Sequence, residues 1–108
     1  MKGCRVVAGT PGAWYFKPQG VPLRDLPIID LALDEFEAIR LADLRGLYQA
    51  DAAAAMGVSR QTFGLIVHQA RNKIAQALAS GYGLRIDPGP LPPTPAKNQP
   101  ELKKGELE

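Results

Sequence analysis

The chain has 108 residues, 45% of them hydrophobic, and a formal net charge of +2, which is enough for one small domain with its own core. One cysteine (Cys4), one histidine (His68) and no apolar run of about 18 residues exclude an internal disulfide, a Cys/His zinc site and a membrane-spanning helix. The near-neutral total hides a division along the chain: residues 31–57 are acid-rich, whereas residues 58–86 carry Arg60, Arg71, Lys73 and Arg85 with no acid at all. A polyanion is expected to meet that second segment, although a basic helix face solvated by water would have the same composition.

Residues 1–32 read as an extended segment packed on the core. Pro11, Pro18, Pro22 and Pro27 forbid a long helix there, while Arg5-Val6-Val7 and Ile28-Ile29 suit short strands. Trp14-Tyr15-Phe16 is the one aromatic cluster, and it is expected to pack on the helical core; dimer contact is the alternative. Lys2 is followed by no apolar stretch, so no secretory signal is expected. With a single cysteine this points to a cytoplasmic protein. Cys4 beside Arg5 could be a reactive thiol, but a lone cysteine near a terminus is more often inert.

A first helix is predicted from Asp34 to about Leu44. Asp34, Glu35 and Glu37 suit the positive end of its dipole. Leu33, Phe36, Ile39, Leu41 and Leu44 give it a broad apolar stripe, and Gly46 is placed to end it. A second, alanine-rich helix follows over Gln49–Met56 and stops at Gly57. Ser59 is a strong N-cap candidate for a third helix running to about Ser80, in which Phe63, Ile66, Val67, Ala70, Ile74, Ala77 and Leu78 recur at helical spacing. Gly81 and Gly83 stop it. The expected fold is therefore all-α: a helix-turn-helix bundle over 33–86, the irregular extension 1–32 in front, and a tail over 87–108. Six of the ten prolines fall between Pro88 and Pro100, and such a tail is expected to be disordered.

The segment Gln49 to His68 carries the functional argument. Two short helices that cross steeply need a small residue at the contact, supplied by Ala53. The corner needs a residue tolerant of positive φ, supplied by Gly57, and an apolar plug, supplied by Val58. The next helix needs a cap and a buried face, which Ser59, Phe63 and Ile66 provide. A helical hairpin with no DNA role would use some of the same devices. Opposite the buried face stand Gln61, Leu65, His68 and Asn72, with Arg60, Gly64 and Arg71 at the flank, and the N-terminal cluster Arg60, Gln61, Gly64, Leu65 and His68 is the pattern a recognition helix offers to base edges in the major groove. Arg60 suits guanine O6 and N7 or a phosphate, Gln61 suits adenine, and Leu65 suits a thymine methyl. A histidine such as His68 is more often an ordinary exposed polar residue than a reader or a pH sensor. Tyr48, Gln49, Ser59, Thr62, Arg71 and Lys73 are candidates for phosphate contact. Gly64 inside a helix costs up to about 1 kcal/mol, which either close approach of DNA or tight helix packing would explain.

Four stretches, Tyr15-Phe16-Lys17-Pro18, Asp34 to Asp43, Gly46-Leu47-Tyr48-Gln49 and Met56 to Gly64, resemble a prokaryotic family designated domain of unknown function 134. The resemblance covers roughly residues 4–86. That family is similar to region four of bacterial sigma factors, whose helix-turn-helix reads a promoter element. The resemblance implies DNA binding through Arg60, Gln61, Gly64, Leu65 and His68. Here Leu65 replaces a residue commonly arginine in the family, and the basic N-terminal arm is reduced to Lys2 and Arg5. Some members carry a further C-terminal domain related to iron–molybdenum-cofactor-binding proteins, which the tail is too short to hold.

These readings lead to a small transcriptional regulator that binds double-stranded DNA in sequence-specific fashion. So few cations suggest a homodimer on paired half-sites. The alternative is a protein-interaction module that contacts RNA polymerase or another regulator. No phosphate loop, metal-ligand cluster or catalytic pair is recognisable, so neither an enzyme nor a cofactor is expected.

Overall fold

A computed structural model describes residues 5–88. The elements run β1 (Tyr15–Phe16), β2 (Ile28–Ala32), α1 (Leu33–Ile39), α2 (Gln49–Met56), α3 (Arg60–Ser80) and β3 (Gly83–Asp87). A short 3-10 turn, Leu23–Asp25, precedes β2, and α1 continues as a π-helical turn over Arg40–Leu44. The fold is not all-α: three helices pack against a three-stranded mixed sheet ordered β1-β3-β2. The central strand β3 runs antiparallel to β1, with Tyr15 opposite Arg85, and parallel to β2, with Asp30 opposite Arg85 and Leu31 opposite Ile86.

The physical reason for this correction is the range of the pairing. β2 and β3 meet across all three helices, and no local periodicity announces such a contact. Neither strand is long, and the prolines at 11, 18, 22 and 27 all lie outside β1 and β2, with Pro27 directly before β2, where they disrupt no ladder. Asp87, assigned from the sequence to the tail, is the last residue of β3. The expected disorder of the remaining tail, together with Lys2 and Cys4, lies outside the described residues.

Two apolar clusters share one core. Ala38, Leu41, Ala52, Ala53, Met56, Phe63, Ile66 and Val67 bury the contacts among the helices. Leu31, Ala70 and Ile86, with Leu33, Phe36, Ile74 and Leu84 around them, join the sheet to α1 and α3. Small alanines let the helices approach closely around Phe63, which is fully buried. Leu44 and Leu78, counted from the sequence among the apolar stripes, are 80% and 79% exposed. The Trp14-Tyr15-Phe16 cluster does not enter the helical core either; Tyr15 and Phe16 form edge strand β1, Trp14 directly precedes it, and all three rings are exposed.

The start of α1 is tied down by charge. Glu35 is buried, its Oε1 accepting from the Ala32 backbone N–H at 2.9 Å and from Lys73 Nζ at 2.7 Å. The first of these closes the N-terminal turn in the manner of half a capping box. Glu37, also buried, accepts from the backbone N–H groups of Ala8 and Gly9 at 3.0 and 3.2 Å, which straps the N-terminal segment to α1. The Val6 N–H donates to the Met56 carbonyl at 3.0 Å, so the same strap reaches the end of α2.

Candidate nucleic-acid interface

The α2–α3 corner is built as its sequence requires. Gly57 caps α2 in the left-handed region at φ +70°, where a side chain would be strained. The Val58 N–H donates to the Ala53 carbonyl at 3.0 Å, and the Val58 side chain packs on the helical core. Ser59 then caps α3, its Oγ accepting from the Thr62 N–H at 3.0 Å and donating to Thr62 Oγ1 at 2.9 Å. Ala53, Met56, Phe63, Ile66 and Val67 bury the inner faces of the two helices.

On the outward face of α3, Arg60, Gln61, Leu65 and His68 are exposed. Neither Arg60 nor His68 has an ion-pair partner among the described residues. Gly64 lies between them. A Cβ built at Gly64 would meet only Gln49 Oε1, at 3.9 Å, which is ordinary van der Waals contact. Tight helix packing therefore does not account for this glycine. The same proximity places the start of α2, with Gln49 and the 82% exposed Tyr48, beside the middle of the α3 face.

The six residues considered for phosphate contact divide. Tyr48 and Gln49 flank the α3 face at the N-terminus of α2. Ser59 and Thr62 stand at the N-terminus of α3 with their hydroxyls engaged in the cap. Arg71 is exposed but gripped by Asp43 from the π-helical turn, Nε to Oδ2 at 3.1 Å and Nη2 to Oδ1 at 2.8 Å. The bidentate pair holds the Asp43 carboxyl below, and the Arg71 guanidinium above, its ordinary range, each chiefly through the hydrogen bonds to the other. Lys73 points to α1 and its ammonium is bound to buried Glu35, away from the other candidates.

Sequence reasoning missed Arg45. It is exposed, has no ion-pair partner among the described residues, and stands in the loop between Asp43 and Tyr48. The charge count along the chain assigned it to an acid-rich segment, which concealed that its loop leads directly into α2. Among the described residues no group of three or more His, Cys, Asp or Glu side chains could hold a metal ion, and no helix is long and apolar enough to cross a membrane.

These features define a class: a small mixed α/β protein in which two helices meet at a capped glycine corner and the second presents an open polar face. The chain belongs to the family described as protein of unknown function DUF134, whose profile matches residues 1–92. It is 54% identical over 86 residues to a UPF0251 protein of Moorella thermoacetica and 51% identical over 88 residues to one of Chlorobaculum tepidum. These matches take in 80% and 82% of this chain and span 58% of each relative's length. A UPF0251 protein of Vibrio vulnificus is 53% identical over 82 residues, 76% of this chain and 82% of the relative. No solved structure gives a significant match.

Proposed function

We propose that this protein binds double-stranded DNA with sequence preference, as a small cytoplasmic transcriptional regulator and not as an enzyme. One observation carries the reading: Arg60, Gln61, Leu65 and His68 lie exposed along one face of a helix whose N-terminus is fixed by the Gly57 corner and the Ser59 cap. A rigid element that presents two bidentate-capable side chains and an apolar one is what major-groove readout requires. Arg60 and Gln61 read bases, Gly64 lets the helix come close, and Leu65 meets a thymine methyl. Arg45, Tyr48 and Gln49 hold the backbone, as does the α3 N-terminus with Ser59 and Thr62. Arg71 joins them when a phosphate displaces Asp43, and Lys73 has a structural part. With few free cations on each chain, two copies act on paired half-sites.

Genomic fragments selected on the purified protein should converge on a shared site. Arg60→Ala combined with Gln61→Ala should abolish the preference in a mobility-shift assay while leaving residual binding, because each good bidentate contact is worth roughly 1–3 kcal/mol of discrimination. Unchanged preference would remove both residues from the reading role.

A second reading, contact with RNA polymerase or another regulator, draws on Leu44 and Tyr48, two large side chains 80% and 82% exposed around the loop into α2. Retention of a protein partner with no DNA bound even at low salt would favour it.

A further inference from the structure

The sheet has two unlike faces. Side chains alternate along β3: Leu84 and Ile86 turn towards α1 and α3, where they join Leu31 and Ala70, and Arg85 between them turns outwards. Its neighbours across the ladder, Tyr15 on β1 and Asp30 on β2, share that outer face. Ile28, two residues before Asp30, stands on the same side, and Leu23 from the 3-10 turn lies beside it. Gly83 makes room for both: a Cβ there would be 2.7 Å from Ile28 Cδ1 and 3.8 Å from Leu23 Cδ2, so bare β3 backbone seats this apolar wall. The result is an open depression of about 370 Å³ lined by Tyr15, Leu23, Arg24, Ile28, Asp30 and Arg85, within the size range of small-molecule sites.

Charge decides what the depression suits. Its lining holds two guanidiniums, Arg24 and Arg85, and one carboxylate, Asp30. Arg85 and Asp30 answer one another, Nε to Oδ1 at 2.6 Å, and that bond is the chief reason the Arg85 guanidinium is held above its ordinary range, with Tyr15 assisting. Arg24 has no ion-pair partner among the described residues. One uncompensated positive charge therefore stands beside an apolar wall of exposed side chains, Tyr15, Leu23 and Ile28. We infer that this depression binds a small organic monoanion, a carboxylate carried on an apolar body. The carboxylate meets the Arg24 fork, whose planar geometry accepts it through two parallel hydrogen bonds, and the apolar body covers Tyr15, Leu23 and Ile28. A dianion would bring a second negative charge against Asp30, and a neutral apolar molecule would gain nothing from Arg24. The site lies on the face of the sheet turned away from α1 and α3, so the inference does not rest on the DNA reading.

The test needs no DNA. Amide NMR spectra of the full chain are followed during titration with phenylacetate and, separately, with phenylacetamide, its neutral counterpart of the same shape. Phenylacetate should shift the amides of Tyr15, Arg24, Ile28, Asp30 and Arg85 saturably, with a millimolar dissociation constant roughly fivefold below that of the amide. Arg24 is exposed on a surface turn, so Arg24→Gln should leave the rest of the spectrum unchanged while erasing the difference between the two probes. Arg24→Lys should keep part of it, because an ammonium retains the charge but not the fork. Equal affinity for both probes would overturn the proposal, as would shifts centred on α3 or a preference for phenylacetate indifferent to Arg24→Gln. Amides of this face that move on dilution with no probe present would show a second copy seated there, and would overturn it too.

Discussion

Arg40 closes on Glu37 one helical turn before it with two hydrogen bonds, Nε to Oε1 at 2.7 Å and Nη2 to Oε2 at 2.8 Å. The glutamate is only 2% exposed, and its two oxygens also receive the Ala8 and Gly9 amides. A buried carboxylate is tolerable only when its lone pairs are satisfied, and here the N-terminal strap completes the set. The pair therefore makes the register of residues 5–9 a condition of folding.

A pH dependence follows. The Glu37 carboxyl is held below its ordinary value of 4.5, first by the Arg40 hydrogen bonds, with burial opposing and the Ala8 and Gly9 amides assisting. A carboxyl lowered on folding contributes stability that is fully present above its unfolded value and is lost as pH falls through its folded value. Urea unfolding should show the wild type more stable than Glu37→Gln by about 3 kcal/mol at pH 7, the cost of leaving one partner of a buried pair alone. That gap should narrow below about pH 4.5, where the unfolded chain's carboxyl takes up a proton before the folded protein's does. A gap of constant size down to pH 3 would contradict this account.

Gly9 gives a second test of the same clamp. A Cβ there would overlap Arg40 at Nε and Cδ. Arg40 is long enough to move, but moving breaks its bonds to Glu37. Gly9→Ala should therefore destabilise by about 1–3 kcal/mol, the usual cost of overpacking. Gly12→Ala, where an added Cβ meets nothing within 4 Å, should be close to neutral. Equal unfolding midpoints for the two variants would show that Arg40 relocates freely.

The helices were legible because their signals are local. The Gln49–Met56 and Arg60–Ser80 spans, the Gly57 corner and the Ser59 cap each rest on neighbours within about four residues. The sheet was hidden because β2 and β3 pair from opposite ends of the helical unit, and because Trp14, Tyr15 and Phe16 suggested core packing by their size although they sit at an edge. The charge count misled in a comparable way. An acid-free segment 58–86 suggested four available cations, but Asp43, Glu35 and Asp30 come from elsewhere to engage Arg71, Lys73 and Arg85. What remained readable in the candidate site was the helix face; which of its cations is free depends on tertiary partners.

Asp43 consequently acts as a brake on DNA affinity if α3 lies in a groove. Its carboxylate occupies Arg71 and would itself repel a nearby phosphate. Asp43→Asn should free the guanidinium and add about one phosphate contact. At 0.1 M salt the affinity should rise roughly tenfold for all sequences alike, and the slope of log K against log salt should steepen by about 0.9. Stability should change little, because exposed pairs contribute at most about 1 kcal/mol. A salt titration of binding to any duplex decides the matter, and an unchanged slope would mean that Arg71 lies outside the contact.

Gly64 separates folding from function. Alanine there meets only Gln49 Oε1 at ordinary distance, and alanine is preferred over glycine in a helix interior by up to about 1 kcal/mol. Gly64→Ala should therefore raise the unfolding free energy by about that amount. If the glycine exists so that α3 can approach a base edge or backbone, the added methyl should at the same time weaken binding to the selected DNA site by tenfold or more, with Gln61 and Leu65 on either flank lifted from their contacts. A variant that is more stable and binds equally well would show that the face is read from a greater distance, and Arg60 and Gln61 would then have to bridge it without close packing of the helix.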